Sequence, residues 1–297
     1  MTKNRAVLDL LAAGALWGFG FVATVWALKA FTPAEAMVYR FIIASIFGEI
    51  IYLIIRGPKF NSVKEEFFRA FPAGLFLGSM LMLQTIGLQF TTATKSGFLT
   101  CLYVVIVPLI NSLFFKKPAG WRSFLLVGVA LLGTFILMGT NLDSVNVGDL
   151  WTIGCAFIAA AHIIYIGHVS NRVGNAFRFN NFQSIWCLIL LTPLLLTQES
   201  INTESRDLLP WAGIFILGIA SSVVAFYLQI RSQKVLSDTT ASMLFLLESP
   251  FAAVFGFLVL SERLSLVQIS GAFLILIAAS LQILWDPSAK TTETKPG

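Results

Sequence analysis

The chain is 297 residues long, 57% apolar and only 12% charged, with a mean hydropathy of +0.83 and a formal net charge of +5. These values describe a chain dissolved in lipid rather than one that hides a core from water, and they exclude a soluble α/β enzyme. They predict an all-α integral membrane protein whose surrounding partner is the lipid bilayer.

Ten apolar segments follow in order, most with the length that a hydrocarbon core of about 30 Å demands of a helix. In the first, Val7–Leu28, Trp17, Phe21 and Thr24 recur at i, i+4 and i+7. That aromatic and polar stripe either packs against neighbours or clamps a planar or apolar substrate. Gly14 and Gly18 in the same segment, like Gly74 and Gly78 in the third, fit close backbone packing. The second segment, Ala34–Ile55, holds Arg40 and Glu49, nine residues and about 180° apart, so the two do not pair. Arg40 reads as a snorkelling or interhelically bonded group rather than a site for a substrate carboxylate.

The third segment, Ala70–Phe90, contains Gln84, and the fourth, Ser96–Phe115, contains Tyr103 and Pro108. The fifth is Ser123–Met138, the sixth Leu150–Val169 with His162 and Tyr165, and the seventh Phe182–Leu196. Tyr227 and Gln229 fall in the eighth, Trp211–Ile230, while Glu248 and Pro250 fall in the ninth, Thr240–Leu260, ahead of the tenth, Leu266–Trp285. Glu248 lies near midspan, where an ionised group costs roughly 2.5–3.5 kcal/mol, so it either contacts substrate or a proton or ties helices together. His162 is either a packed, hydrogen-bonded group or a proton carrier. Pro108 and Pro250 each remove a backbone hydrogen bond and kink their helices, which marks these two as moving gates. The polar tail 287–297 lacks apolar periodicity and reads as a disordered cytoplasmic end.

The last five segments repeat the first five at an offset of about 145 residues, dividing the chain into units 1–146 and 147–286. Trp17 matches His162, Gln84 matches Gln229, and Tyr103 matches Glu248. Because five is odd, the second unit starts on the opposite side of the membrane, giving two inverted-topology five-helix repeats with a site expected between them near the midplane. With both termini in the cytoplasm, that side collects fifteen of the twenty basic residues, among them Lys3, Arg69, Lys116, Arg172 and Arg231. The longest opposite loop, Thr197–Pro210, is acidic. This asymmetry sets the orientation, and the net positive charge calls for no nucleic-acid partner.

No Gly-x-x-x-x-Gly-Lys-[Ser/Thr] loop is present to bind ATP, which excludes primary pumping. His162 and His168 lie six residues and about 240° apart and do not chelate one ion together. No Gly-x-Ser-x-Gly elbow offers a nucleophile. Cys101, Cys155 and Cys187 each sit inside an apolar segment without paired spacing and read as packing residues, with no disulfide and no metal. Passage of a small solute between the halves remains, without an enzyme's catalytic set and without a cofactor.

The run from Thr94 to Pro108, the first-segment Ala15-Leu-Trp-Gly-Phe-Gly-Phe21, Pro33 with Arg40-Phe41, and Leu247-Glu-Ser-Pro-Phe251 with Glu262-Arg263 resemble the EamA family of the drug/metabolite transporter superfamily. The resemblance covers residues 5 to 285 and departs from the pattern at Lys117-Pro118, the first-half counterpart of Glu262-Arg263. It implies a ten-helix transporter of the cytoplasmic (inner) membrane, a monomer or weak homodimer, with a central cavity and peripheral fifth and tenth helices. It also implies export or exchange of small metabolites, amino acids prominent among them. The candidate substrate-binding residues are Trp17, Phe21, Gln84, Tyr103, His162, Tyr165, Tyr227, Gln229 and Glu248, with Glu248 and His162 the candidates for proton coupling. An aromatic site with few fixed charges points to neutral or zwitterionic solutes. An uncoupled facilitator, or a non-transporting scaffold or sensor, is the alternative.

Overall fold

The computed structural model describes residues 1–56, 63–91, 93–116, 120–138, 146–197, 207–260 and 263–285, and all regular structure in them is helical. The tail 287–297, the Lys117-Pro118 turn, Glu262, and Glu199 and Glu204 of the acidic loop lie outside the described residues. The helices are α1 (Lys3–Ala27), α2 (Pro33–Arg56), α3 (Val63–Gly87, interrupted at Ala70), α4 (Ala93–Thr100 and Tyr103–Phe114), α5 (Trp121–Met138), α6 (Val147–Val169), α7 (Ala176–Leu191), α8 (Leu208–Ser232), α9 (Asp238–Phe245 and Glu248–Leu260) and α10 (Leu266–Trp285). Among the described residues nine are long and apolar enough to cross a membrane, and α5 is the shorter one. Its 18 residues rise about 27 Å, close to the thickness of the hydrocarbon core.

Hydrogen bonds between loops fix which ends share a face. Arg69 Nη1 donates to the carbonyl of Arg172 at 2.7 Å, Lys234 Nζ to that of Val173 at 2.7 Å, and Lys3 Nζ to that of Ile283 at 2.5 Å. Arg231 at the end of α8 also bridges to Asp9 of α1, so the N-terminus, the start of α3, the α6–α7 and α8–α9 connections and the end of α10 meet on one side, here the N-terminal face. At the opposite face Thr91, after α3, donates to Asp149 in the first turn of α6 at 3.1 Å. Thus α1 starts at one face and α6 at the other, the inverted relation that five helices per repeat demand.

Several helix starts are written in side chains. Asn146 and Asp149 form a reciprocal capping box at the start of α6. Asn175 accepts from Phe177 N and Arg178 N, so α7 begins six residues before the expected Phe182. The shift brings Asn180 and Asn181 into the helix beside Gln183 and Ser184, and all four are buried.

The fourth helix of each repeat is broken in the same way. In α4, Leu102 N donates to Leu99 O, Val104 N to Cys101 O and Ile106 N to Leu102 O; in α9, Leu247 N donates to Leu244 O, Ser249 N to Leu246 O and Phe251 N to Leu247 O. Each bond in one helix has its partner 145 positions on in the other. In α9 Pro250 has no N–H to serve Leu246 O, and Ser249 N serves it at 3.1 Å. In α4, Pro108 lies within the continuous second piece, five residues beyond its start at Tyr103, so the break precedes the proline rather than following from it.

Outside this core, α5 and α10 pack on each other through Gly133 and Gly271; a Cβ on Gly133 would lie 2.7 Å from Gly271 O. The middle of α8, Leu217–Ala225, winds as a π-helix. Wider turns of this kind leave carbonyls poorly served within the helix, and here α7 serves them: Asn180 Nδ2 donates to Ser222 O and Val223 O, both at 3.0 Å.

Candidate functional site

A cavity of about 680 Å³, counting its open mouth, lies between the repeats. Each repeat supplies half of its lining: α1, α2, α3 and α4 from the first, α6, α8 and α9 from the second. α5 and α10 contribute nothing to it.

The walls are aromatic. Trp17 of α1 meets Phe226 at 5.0 Å between ring centroids and Phe245 edge-on at 5.2 Å, and Phe21 lines the same side one turn on. Trp17 Nε1 is enclosed without a hydrogen-bond partner among the described residues. His162, the repeat counterpart of Trp17, meets the same Phe226 ring at 5.9 Å, so one ring touches both equivalent positions.

Polar groups interrupt these walls, Glu248, Gln84 and Arg40 among them. Glu248, where the second piece of α9 starts, accepts on Oε1 from Tyr103 Oη at 3.2 Å and from Cys101 Sγ at 3.7 Å. Oε2 has no partner among the described residues and is not an enclosed atom, and the side chain lines the cavity. Gln84 Nε2 donates to Thr100 Oγ1 at 3.0 Å, tying α3 to α4 at the wall. Arg40 is 4% exposed and reaches the cavity from α2; its Nε donates to Ser222 Oγ in the π-helical stretch at 2.7 Å. It does not snorkel, because its side chain is directed inward to the bundle.

His162 is set by a chain of amides that the sequence reading overlooked. Its Nε2 lies 3.3 Å from Gln183 Oε1, and Gln183 Nε2 donates to Asn180 Oδ1 at 2.7 Å. The carbonyls of Ser222 and Val223 only accept, so Asn180 must turn its NH2 to them and its oxygen to Gln183. Gln183 then donates to Asn180 and offers its own oxygen to His162. The ring nitrogen facing Gln183 therefore carries the proton, and Nδ1 is the acceptor left for the cavity. The signal in the sequence was the polar run Asn180-Asn181-Phe182-Gln183-Ser184 beside a capping asparagine.

Trp17, Phe21, Gln84, Tyr103, His162, Gln229 and Glu248 thus surround one space. Tyr165 and Tyr227 do not belong to its lining. Tyr227 follows Phe226, which takes the cavity side, and 100° further round the helix it meets Phe177 at 5.3 Å and accepts from Arg231 Nη1 at 3.1 Å. Tyr165 lies nearly a turn beyond His162 toward the N-terminal face, where its hydroxyl donates to Arg69 O at 2.7 Å. The two repeat-related glutamines also differ: Gln84 braces α4, whereas Gln229 donates to Gln233 Oε1 within its own helix end at 2.9 Å.

The pattern of the EamA-like transporter family matches residues 4–139 and again 146–284, one match for each five-helix repeat. The chain belongs to this family. An uncharacterized transporter of Archaeoglobus fulgidus is 33% identical over 92% of this chain and 84% of its own length. Another, of Methanothermobacter thermautotrophicus, is 24% identical over 96% of this chain and 88% of its own. One of Synechocystis is 26% identical over 94% and 90%. A solved crystal structure superposes with a TM-score of 0.74 over 98% of this chain and 99% of that one, at 17% identity, and shares the fold. The EamA-like chain is thus a multi-pass membrane transporter of the drug/metabolite transporter superfamily, not an enzyme, and its partners are a small-molecule substrate and the lipid bilayer. The interface of its two repeats is where a solute path belongs.

Proposed function

We propose that this transporter is a secondary, alternating-access exporter of small neutral or zwitterionic metabolites such as amino acids. Its two repeats exchange exposure of the central cavity, with both termini in the cytoplasm of a cell bounded by its inner membrane. The observation that carries the reading is the cavity itself, lined in equal shares by the two repeats, with aromatic walls and the free carboxylate oxygen of Glu248 in one space. Equal lining is what an alternating path requires, since either half must be able to swing away from the substrate. Broken helices α4 and α9 meet the site with Tyr103 and Glu248 at their restart points and serve as the moving gates, α9 hinged at Pro250.

The N-terminal face carries Lys3, Arg69, Arg172, Arg178, Arg231 and Lys234 among its connections, which supports its placement in the cytoplasm. Glu248 and His162 each present one unbonded acceptor to the cavity, Oε2 and Nδ1, and these are the atoms assigned to proton coupling. The protein works as a monomer or weak homodimer. Counterflow of labelled amino acids in proteoliposomes, with and without a pH gradient, tests the reading. Saturable exchange accelerated by the gradient is the expected result; flux of amino acids no faster than through empty liposomes rejects it.

A further inference from the structure

We infer that Arg40 is the anchor for a carboxylate on the transported solute, which makes the substrate class carboxylate-bearing: α-amino acids, with their ammonium toward Glu248. The inference rests on the transport reading and adds to it the group that is recognised.

A guanidinium has five N–H donors in a fixed plane. Arg40 commits one of them, Nε–H, to the neutral hydroxyl of Ser222 at 2.7 Å. Among the described residues no carboxylate forms an ion pair with it, although the chain does pair Arg178 with Glu66 and Arg231 with Asp9. Neither Nη is among the enclosed unpaired atoms of the interior, and the side chain lines the cavity. With Nε occupied, the fork that remains is the end-on pair Nη1 and Nη2, which matches the two oxygens of a carboxylate. A buried arginine that serves structure alone ordinarily has its charge matched by protein groups; here the matching charge is left to whatever enters.

The position of the fork is held from two sides. Ser222 belongs to the π-helical stretch of α8, whose carbonyls are pinned by Asn180 of α7, so the hydroxyl that orients Arg40 sits on a braced turn. Glu248 lines the same cavity from α9 in the other repeat, with Oε2 uncommitted. A fixed cation from one repeat and a carboxylate from the other, with Trp17 and Phe226 lining the space, suit a molecule that carries both charges and an apolar side chain.

The test uses full-length protein in nanodiscs and matched probe series. For each of the leucine, phenylalanine, tryptophan and glutamine side chains, the amino acid, its amine lacking the carboxylate and its acid lacking the amine are compared by thermal shift and by competition in counterflow. Wild type is expected to bind the amino acids and to prefer them over the amines by about 10–100-fold, the range of a charge-assisted bidentate bond. Arg40→Gln removes that preference and Arg40→Lys retains part of it. Ser222→Ala keeps the charge and weakens the same preference, and so reports even where Arg40→Gln fails to fold. Amines binding as well as amino acids in wild type, an unchanged preference in folded Arg40→Gln or in Ser222→Ala, or no binding of any carboxylate-bearing probe overturns the assignment. Acids that bind through Arg40 while amino acids do not would sustain the anchor and reject the zwitterionic reading of the substrate.

Discussion

Tyr103 and Glu248 are equivalent residues of the two repeats, and they are hydrogen-bonded to each other at 3.2 Å across 145 positions of sequence. Two positions exchanged by a two-fold axis can touch only beside that axis. In an inverted repeat the axis lies in the membrane plane, so the contact marks the middle of the bilayer. Both residues also open the second piece of a broken helix, which brings two interrupted backbones and one ionisable group to the same point. The scaffold is symmetric here, while the chemistry is divided between a donor hydroxyl and an accepting carboxylate.

Glu248→Gln is accordingly expected to keep the fold, because an amide oxygen still accepts from Tyr103, and to lose flux driven by a pH gradient, because no proton is carried. Tyr103→Phe is expected to reduce stability by about 1 kcal/mol, one hydrogen bond, and to slow exchange less than Glu248→Gln. Counterflow with and without the gradient, together with the melting temperature of each variant, measures both. Full gradient-driven flux in Glu248→Gln would remove this residue from the coupling scheme.

Gly18 sets how closely α1 approaches α9. A Cβ there would lie 2.7 Å from Phe251 Cβ and 2.8 Å from both Ala252 N and Glu248 O, two of which are backbone atoms that cannot swing aside. Gly18→Ala is therefore expected to destabilise by about 1–3 kcal/mol and to impair transport, since it pushes on the turn that carries Glu248. Gly128, on the exposed side of α5, has nothing within 4 Å of the added atom. Gly128→Ala serves as the control, expected neutral or stabilising by about 0.5–1 kcal/mol through helix propensity alone. Thermal unfolding in one detergent compares the two, and equal shifts would contradict the close packing.

Much of this arrangement was legible in the sequence because lipid imposes it. Segments of apolar residues must be helices, an odd number of them must invert the second repeat, and the 145-residue offset already paired Tyr103 with Glu248. What escaped reading depends on tertiary contact. The break at Cys101-Leu102 carries no breaker of its own, and Pro108, the visible suspect, lies beyond it. The π-helical stretch in α8 is supported by Asn180 from another helix, which no local pattern in Leu217–Ala225 announces. Tyr227 was placed by depth and Tyr165 also by its i+3 spacing from His162, and a rotation of 60–100° about the helix axis was enough to turn them from the cavity. Arg40 was judged by its distance from the helix end, whereas the absence of a carboxylate partner became visible only with all the helices in place.

Asp9 and Arg231 join α1 to α8 on the N-terminal face, with Arg231 Nε at 2.8 Å and Nη2 at 2.5 Å from Asp9 Oδ2. The residues that line the cavity lie beyond this pair, toward the middle and the opposite side of the membrane, so the bridge stands between the cavity and the N-terminal face. A partly buried pair of this geometry contributes about 1 kcal/mol, which corresponds to roughly a fivefold change in the ratio of two access states. Asp9→Asn and Arg231→Gln are each expected to alter the counterflow rate. The double variant should show no further change, because either single substitution already breaks the bridge. Strictly additive effects in that cycle would show that the pair does not act as a latch.

The polarity of the amide chain behind His162 gives a prediction that is independent of any substrate. Acceptor-only carbonyls at Ser222 and Val223 fix Asn180, Asn180 fixes Gln183, and Gln183 leaves the proton on Nε2 of His162. Nitrogen-15 spectra of histidine-labelled protein contain two imidazoles, His162 and His168. The signal that Gln183→Leu perturbs is expected to show the Nε2–H tautomer in wild type. Asn180→Asp should destabilise more than Asn180→Ala, because a carboxylate would set acceptor against acceptor at the π-helical turn. The alanine variant only leaves its buried partners unserved, at about 1–3 kcal/mol each. An Nδ1–H tautomer at His162 would contradict this chain and place the donor, rather than the acceptor, in the cavity.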